Sequence, residues 1–173
     1  MKKKEIISGE AIQKRIREMG NEISRDFQGK PLITVCVLKG AFIFYADLIR
    51  SLSMDPEMDF VRMSSYGQQT FSSGKVHFSK DMELSIKDKH VIIVEDIVDT
   101  GKSISYLSRV LEARGPLSIK ICALIDKHER REIPVKVDYA GFVLQKGFIV
   151  GYGLDYAEKY RNLSGIYELT PEE

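Results

Sequence analysis

The sequence predicts an α/β protein built on an open, mainly parallel sheet with helices on its faces. Three observations carry that prediction. Residues 32–38 and 91–94 are short β-rich runs dense in Val, Ile and Leu, the composition of strands covered on both sides. Stretches between such runs carry apolar residues at steps of three and four, the period of a helix. Strand-like and helix-like segments alternate along the chain, as parallel strands joined by helical crossovers do.

Taken in order, Ile12, Ile16, Met19, Ile23 and Phe27 form one apolar stripe, which predicts an amphipathic helix capped by Ser8. Gly29-Lys30-Pro31 breaks the chain, residues 32–38 form a strand, and residues 41–52 return to helical spacing. Residues 57–63 alternate as a strand does. Residues 64–74 are polar, contain glycine and have no period, so a mobile loop is expected there. The apolar core of residues 91–94 leads into acids and a Thr-Gly turn. Residues 103–114 then read as a helix ended by Gly115-Pro116. Residues 117–125 and 137–144 add two strands. From residue 145 the chain is less regular, with Gly147, Gly151 and Gly153 among aromatics, and residues 165–169 are its last strand-like piece.

At 173 residues the chain suits one core, since two would each be small and marginal. Hydrophobic residues are 43% and charged residues 29%, the balance of a soluble folded domain. Lys and Arg number 26 against 25 Asp and Glu. No overall basic field therefore draws the protein to nucleic acid or an anionic membrane, and any polyanion is gripped locally. Lys2, Lys3 and Lys4 precede Glu5 and a helix-like pattern rather than an apolar signal run. No stretch nears ~18 apolar residues, so a cytoplasmic protein is expected. Cys36 and Cys122 each lie inside an apolar run, where a thiol behaves as a small hydrophobe. No Cys/His cluster has zinc spacing. His77, His90 and His128 are expected to be structural or surface residues.

The most informative stretch is residues 91–103, Val-Ile-Ile-Val-Glu-Asp-Ile-Val-Asp-Thr-Gly-Lys-Ser. Ligands of open α/β sheets bind beyond the carboxyl ends of the strands, where the following helix presents free amides and its positive dipole end. Thr100 and Ser103 supply hydroxyls, Gly101 allows close approach, and the amides of Asp99, Thr100, Gly101, Lys102 and Ser103 can cradle a phosphate. Glu95 and Asp96 would repel that phosphate, so their presence points to a sugar diol or a hydrated Mg²⁺ beside it. Gly101-Lys102-Ser103 is not the end of a nucleoside triphosphatase phosphate loop, because that motif needs glycine where Asp96 stands. Gly151-Tyr152-Gly153 fails the dinucleotide fingerprint at Tyr156. A phosphoacceptor receiver carries its acidic pair on the first strand, not near the third. A lone Asp-Thr-Gly would read as a solvated turn; here an apolar strand precedes it and a helix follows.

Residues 94–103 resemble the phosphoribosyl-pyrophosphate signature of type I phosphoribosyltransferases. The likeness continues through Leu38-Lys39-Gly40-Ala41, Ser65-Tyr66, Asp126-Lys127, and residues 147–156 with Arg161 beyond. These motifs, in this order, are similar to those of the members that use hypoxanthine and guanine. The resemblance implies a core at about residues 30–145 under a small hood formed by residues 1–29 and 146–173. It implies transfer of the 5-phosphoribosyl group from 5-phosphoribosyl-1-pyrophosphate to a 6-oxopurine base, with Mg²⁺ as cofactor and a homodimer or homotetramer as the assembly. It assigns the phosphate to Asp99, Thr100, Gly101, Lys102 and Ser103, with Asp99 also accepting the proton from purine N7. Glu95 and Asp96 take the ribose and the water shell of Mg²⁺. Lys39 and Gly40 hold pyrophosphate through backbone amides, often beside a cis peptide, for which Lys39-Gly40 is the bond considered, and Arg161 assists. Ser65 and Tyr66 belong to a lid that excludes water. Lys127 donates to the purine 6-oxygen, Phe148 stacks on the ring, Ile149 and Asp155 offer backbone groups to the base edge, and the Asp155 side chain meets Mg²⁺. Two other readings stand beside this one: an RNA-binding regulator on the same fold, which needs a basic face, and a relative that prefers xanthine or adenine.

Overall fold

The computed structural model describes residues 1–65 and 76–171. Its elements are β1 (Lys2–Ile7), α1 (Gly9–Phe27), β2 (Leu32–Val37), α2 (Phe42–Arg50), β3 (Glu57–Ser65), β4 (Val76–Lys80), β5 (His90–Val98), α3 (Lys102–Glu112), β6 (Ser118–Lys127), β7 (Tyr139–Leu144), β8 (Ile149–Val150) and β9 (Ile166–Thr170). Six strands form the main sheet in the order β4-β3-β2-β5-β6-β7. All its neighbours run parallel except β4, which is antiparallel to β3. A second, three-stranded sheet has the order β1-β9-β8.

The period-two alternation of a strand divides the β-rich runs between two cores. In β2 and β5, Leu32, Cys36, Ile92 and Val94 face α1 and α2, whereas Ile33, Val35, Val91 and Ile93 face Ile104, Leu107 and Leu111 of α3. Thr34, buried on the first face, bonds to the Tyr45 hydroxyl at 2.9 Å. Cys36 and Cys122 are free and buried. Burial raises both thiols, Cys36 to about 12, so neither is a reactive thiolate at neutral pH. The Ser8 hydroxyl accepts the Ala11 amide at 3.1 Å and caps α1.

Three of the described strands, β1, β4 and the two-residue β8, were not anticipated. In β1 only Ile7 is buried, so its first residues show no hydrophobic period. β4 is a five-residue edge strand that contributes Phe78 to the α3-side core, too little apolar signal to read. β3 also runs to Ser65, two residues past the expected end. β5 continues through Glu95 and Asp96 to Val98 because β6 pairs with it as far as Val98 opposite Asp126. The β1-β9-β8 sheet is built from the terminal segments expected to form the hood, and it is called the hood. Helix α1, which the sequence placed with the hood, packs on α2 and β7. The hood's Ile7, Ile149, Tyr152, Leu154 and Ile166 join the same core as α1 and α2.

Candidate active site

The parallel order of β2, β5 and β6 brings the segments after their carboxyl ends to one edge of the sheet. After β5, Gly101 takes the N-cap position of α3 with φ +84. A side chain there would meet the Ile133 carbonyl at 2.5 Å, so glycine is required for both conformation and space. The Thr100 hydroxyl accepts the Lys102 amide at 3.3 Å. The Lys102 ammonium turns away to Glu132 at 2.6 Å, leaving its backbone as its contribution to the loop. A cavity of about 260 Å³ is lined by residues 95–101 with Ser103 and Ile104. Cavities of about 310 and 320 Å³ lie beside α3 and beside the end of α1. Neither has strand-end acids or a helix N-terminus, so the smaller one has the chemistry of an anion site.

Glu95 and Asp96 share that cavity. Burial, reinforced by the neighbouring carboxylate, raises Glu95 well above the ordinary range; burial raises Asp96 as well. Each accepts one backbone amide, Glu95 that of Asp96 at 3.1 Å and Asp96 that of Ile97 at 2.8 Å. A buried pair of like charges favours a cation or hydroxyl donors at its open side. Among the described residues no three His, Cys, Asp or Glu side chains gather to hold a metal. Two hard carboxylates nevertheless suit Mg²⁺, which commonly keeps waters and takes its remaining ligands from substrate phosphates.

The loop after β2 lies against these acids. A side chain at Gly40 would meet Asp96 Oδ2 at 1.8 Å, and one at Gly153 would meet the Gly40 carbonyl at 2.1 Å. Gly40 is thus held between the acid pair and the hood loop. The cis peptide is Leu38–Lys39, one bond before Lys39-Gly40. Arg161 donates to the Gly153 carbonyl at 2.7 Å and pairs with Asp155 at 3.1 Å and Glu158 at 3.4 Å. Glu158 also pairs with Lys39 at 2.9 Å. The expected pyrophosphate residues Lys39, Gly40 and Arg161 are therefore neighbours, and the charged side chains among them are bridged by Glu158, which the sequence did not single out.

Lys127 ends β6 and is only 6% exposed. Its ammonium lies 3.9 Å from Asp99 Oδ1 and 3.5 Å from Glu129. Asp99 Oδ1 is buried and has no hydrogen-bond partner among the described residues, while Oδ2 faces Arg130 at 3.4 Å. Glu129 also accepts the Gly147 amide at 3.3 Å, which ties the Lys127 corner to the start of the hood loop. There Phe148 is 49% exposed and meets Tyr156 edge-on, with centroids 5.5 Å apart. An exposed aromatic is a surface open to a flat ring. Ile149 is buried in β8, and Asp155 accepts the Glu158 amide at 2.9 Å. Ser65 ends β3, and Tyr66, also expected in a lid, lies outside the described residues together with the rest of the expected loop. Arg131, in a polar stretch with no periodicity, also reaches this edge and carried no sequence signal. His90 bonds Ser118 at 2.7 Å and His128 pairs with Asp126 at 3.2 Å, which are local structural contacts.

The model of the phosphoribosyl transferase domain matches residues 3–157. Hypoxanthine-guanine phosphoribosyltransferase of Bacillus subtilis is 45% identical over 168 residues, 97% of this chain and 93% of that protein. The bifunctional protein TilS/HprT of Listeria innocua is 44% identical over 169 residues, 98% of this chain. The chain spans only 26% of the length of that relative. A crystal structure of a hypoxanthine-guanine phosphoribosyltransferase from Bacillus anthracis superposes with a TM-score of 0.91 at 44% identity, covering 96% of this chain and 98% of that one.

Proposed function

The chain belongs to the phosphoribosyl transferase family, and from that premise we propose that it transfers the 5-phosphoribosyl group of 5-phosphoribosyl-1-pyrophosphate to N9 of hypoxanthine or guanine, releasing pyrophosphate. The observation that carries this reading is the pair formed by Lys127 and Asp99. The two groups end neighbouring strands, 3.9 Å apart. The 6-oxygen and N7 of a 6-oxopurine are neighbours on one ring edge, and an ammonium offers only donors where a carboxylate offers only acceptors. Lys127 meets the 6-oxygen and Asp99 the N7 proton.

In this reading N9 attacks the anomeric carbon as the bond to pyrophosphate breaks, with no covalent enzyme intermediate. Asp99 takes the N7 proton as positive charge develops on the base. The loop at residues 99–103 anchors the 5-phosphate on the α3 N-terminus, and Phe148 covers one face of the ring. Glu95 and Asp96 take the ribose hydroxyls and waters around Mg²⁺. The amides of Lys39 and Gly40, with Arg161, receive the leaving group, and Asp155 lies beside them as a further oxygen donor. Mg²⁺, when bound, supplies charge neutralisation at the departing pyrophosphate.

We extend the proposal to a homodimer or homotetramer in the cytoplasm; no described helix is long and apolar enough to cross a membrane. Light scattering measures the assembly. The reaction is tested by steady-state transfer to hypoxanthine, guanine, xanthine and adenine, with and without Mg²⁺. Transfer to the first two bases that requires Mg²⁺ is expected. A protein inactive with both, although phosphoribosyl pyrophosphate binds, overturns the assignment of the base.

A further inference from the structure

The loop between β6 and β7 does more than connect strands. Arg131, whose side chain is 16% exposed, reaches back under the site and donates to four acceptors. Its Nε donates to the Asp99 carbonyl at 2.8 Å, and its Nη2 lies 3.0 Å from the Val98 carbonyl, 2.9 Å from the Lys127 carbonyl and 2.6 Å from Asp126 Oδ1. Val98 and Asp99 belong to the end of β5, and Asp126 and Lys127 to the end of β6. One planar guanidinium therefore spans the two strand ends that carry the proton acceptor and the 6-oxygen donor. The sheet's own pairing stops at Val98 opposite Asp126, so beyond that point it does not fix the separation of Asp99 and Lys127.

We propose that Arg131 is the positioning residue that holds Asp99 and Lys127 in one frame and so sets both proton transfer and the preference for a 6-oxopurine. The proposal rests on the assignment of Asp99 and Lys127 above. A fork of fixed donors is what the task needs, since its geometry is rigid where a lysine ammonium is a mobile point charge. The 5-phosphate loop has a separate support: the Thr100 carbonyl accepts the Glu132 and Ile133 amides, each at 3.0 Å. Loss of the Arg131 side chain leaves those bonds in place, so the effect falls on the base and its proton rather than on phosphate binding.

The test compares wild type, Arg131→Lys and Arg131→Ala with hypoxanthine and adenine, alongside calorimetry of phosphoribosyl-pyrophosphate binding. Misplacing a reacting group by about 1 Å can lower rates on the order of 10²-fold, and that fall in kcat with hypoxanthine is expected for Arg131→Lys. Displacement of Asp99 slows both bases, whereas displacement of Lys127 penalises only the base with a 6-oxygen. The hypoxanthine-to-adenine ratio of kcat/KM is therefore expected to shrink at least about tenfold from the ~10⁴ expected of the wild type. Phosphoribosyl-pyrophosphate affinity stays nearly unchanged, and millimolar guanidinium restores part of the rate of Arg131→Ala. Should Arg131→Ala not fold, Arg131→Lys carries the test. A folded Arg131→Lys with wild-type kcat, or one in which both bases slow equally with the ratio intact, overturns the proposal. Absence of hypoxanthine transfer in wild type instead overturns the functional assignment on which it rests.

Discussion

The loop after β5 and the hood loop at residues 147–161 both contribute to the site, yet they are built in opposite ways. The first follows a strand paired on both sides, caps a helix and is braced by the β6–β7 loop; of its conformations only Gly101 is left-handed. The second carries Tyr152, Ala157, Glu158 and Tyr160 at φ values between 50 and 76, beside left-handed Gly147, Gly151 and Gly153. Non-glycine residues in that region are costly and persist where surrounding structure holds them. Here the Tyr152 hydroxyl donates to Asp47, with Gln13 bonding both. In the proposed reaction the rigid loop holds the groups whose positions decide reactivity, whereas the hood presents the exposed Phe148 and a set of ion pairs open to a ligand.

This contrast predicts that the largest effects come from the strand ends. Lys127 has three donors and no acceptor, so the 6-amino group of adenine meets it donor to donor. Sites built on one hydrogen bond reject the mismatched analogue by ~10⁴-fold, and that is the expected ratio of kcat/KM for hypoxanthine over adenine, collapsing in Lys127→Ala. A wild-type ratio below ~10² would break the comparison at its base, because the buried cation would then not read the base.

Asp99→Asn comes next. A placed proton acceptor contributes about 10² to 10⁴ in rate, so kcat with hypoxanthine is expected to fall at least ~10²-fold while phosphoribosyl pyrophosphate binds normally. Single-turnover chemistry at near wild-type speed would remove Asp99 from proton transfer.

The same contrast governs what the sequence disclosed. The β5 loop was legible because strand, turn and helix each leave a local signature, and the glycine, hydroxyls and acids fall at fixed offsets along them. The main sheet was legible for the same reason, since residues 32–38 and 91–94 had to fill two faces. β1 could not be read, because Lys2, Lys3 and Lys4 are exposed on it. Arg131 and Glu158 were invisible as well. Arg131 works through the carbonyls of other strands, and Glu158 through Lys39, far away in the chain. Such contacts depend on register between segments, which residue types alone do not encode.

Changing Glu95 and Asp96 together to Gln and Asn is expected to raise the Mg²⁺ and phosphoribosyl-pyrophosphate requirement by roughly tenfold, as for groups that orient metal-bound waters. Unchanged affinity by calorimetry would make the acids structural. Stability moves the other way. Both acids have folded pKa values above their ordinary ones, so their protonated forms favour the ligand-free fold. That favourable contribution is full below the unfolded pKa and is lost as pH rises through the folded value. Glu95→Gln removes the buried charge, and if about 1 kcal/mol is relieved, the Tm at neutral pH rises by roughly 2–4 °C. The gap closes as the wild type is acidified and its own carboxyl protonates. A variant less stable than wild type at neutral pH, measured without ligand, would contradict the burial argument.

The smallest effect tests the adaptable side. Glu158 pairs with both Lys39 and Arg161, and Lys39 holds its carboxylate below the usual range. If pyrophosphate binds there as proposed, it displaces this carboxylate from Arg161, and Glu158 then competes with the substrate for the same cation. Exposed ion pairs are weak, so the gain on removing one is limited to about fivefold in affinity. Glu158→Gln is therefore expected to lower the KM for phosphoribosyl pyrophosphate by about two- to fivefold at low ionic strength, with kcat little changed. Salt screens exposed charges over about 10 Å at 0.1 M, so the difference from wild type should fade as salt is added. A KM that rises, or an advantage indifferent to salt, would mean that Glu158 supports the loop's left-handed turn rather than occupying the substrate's place.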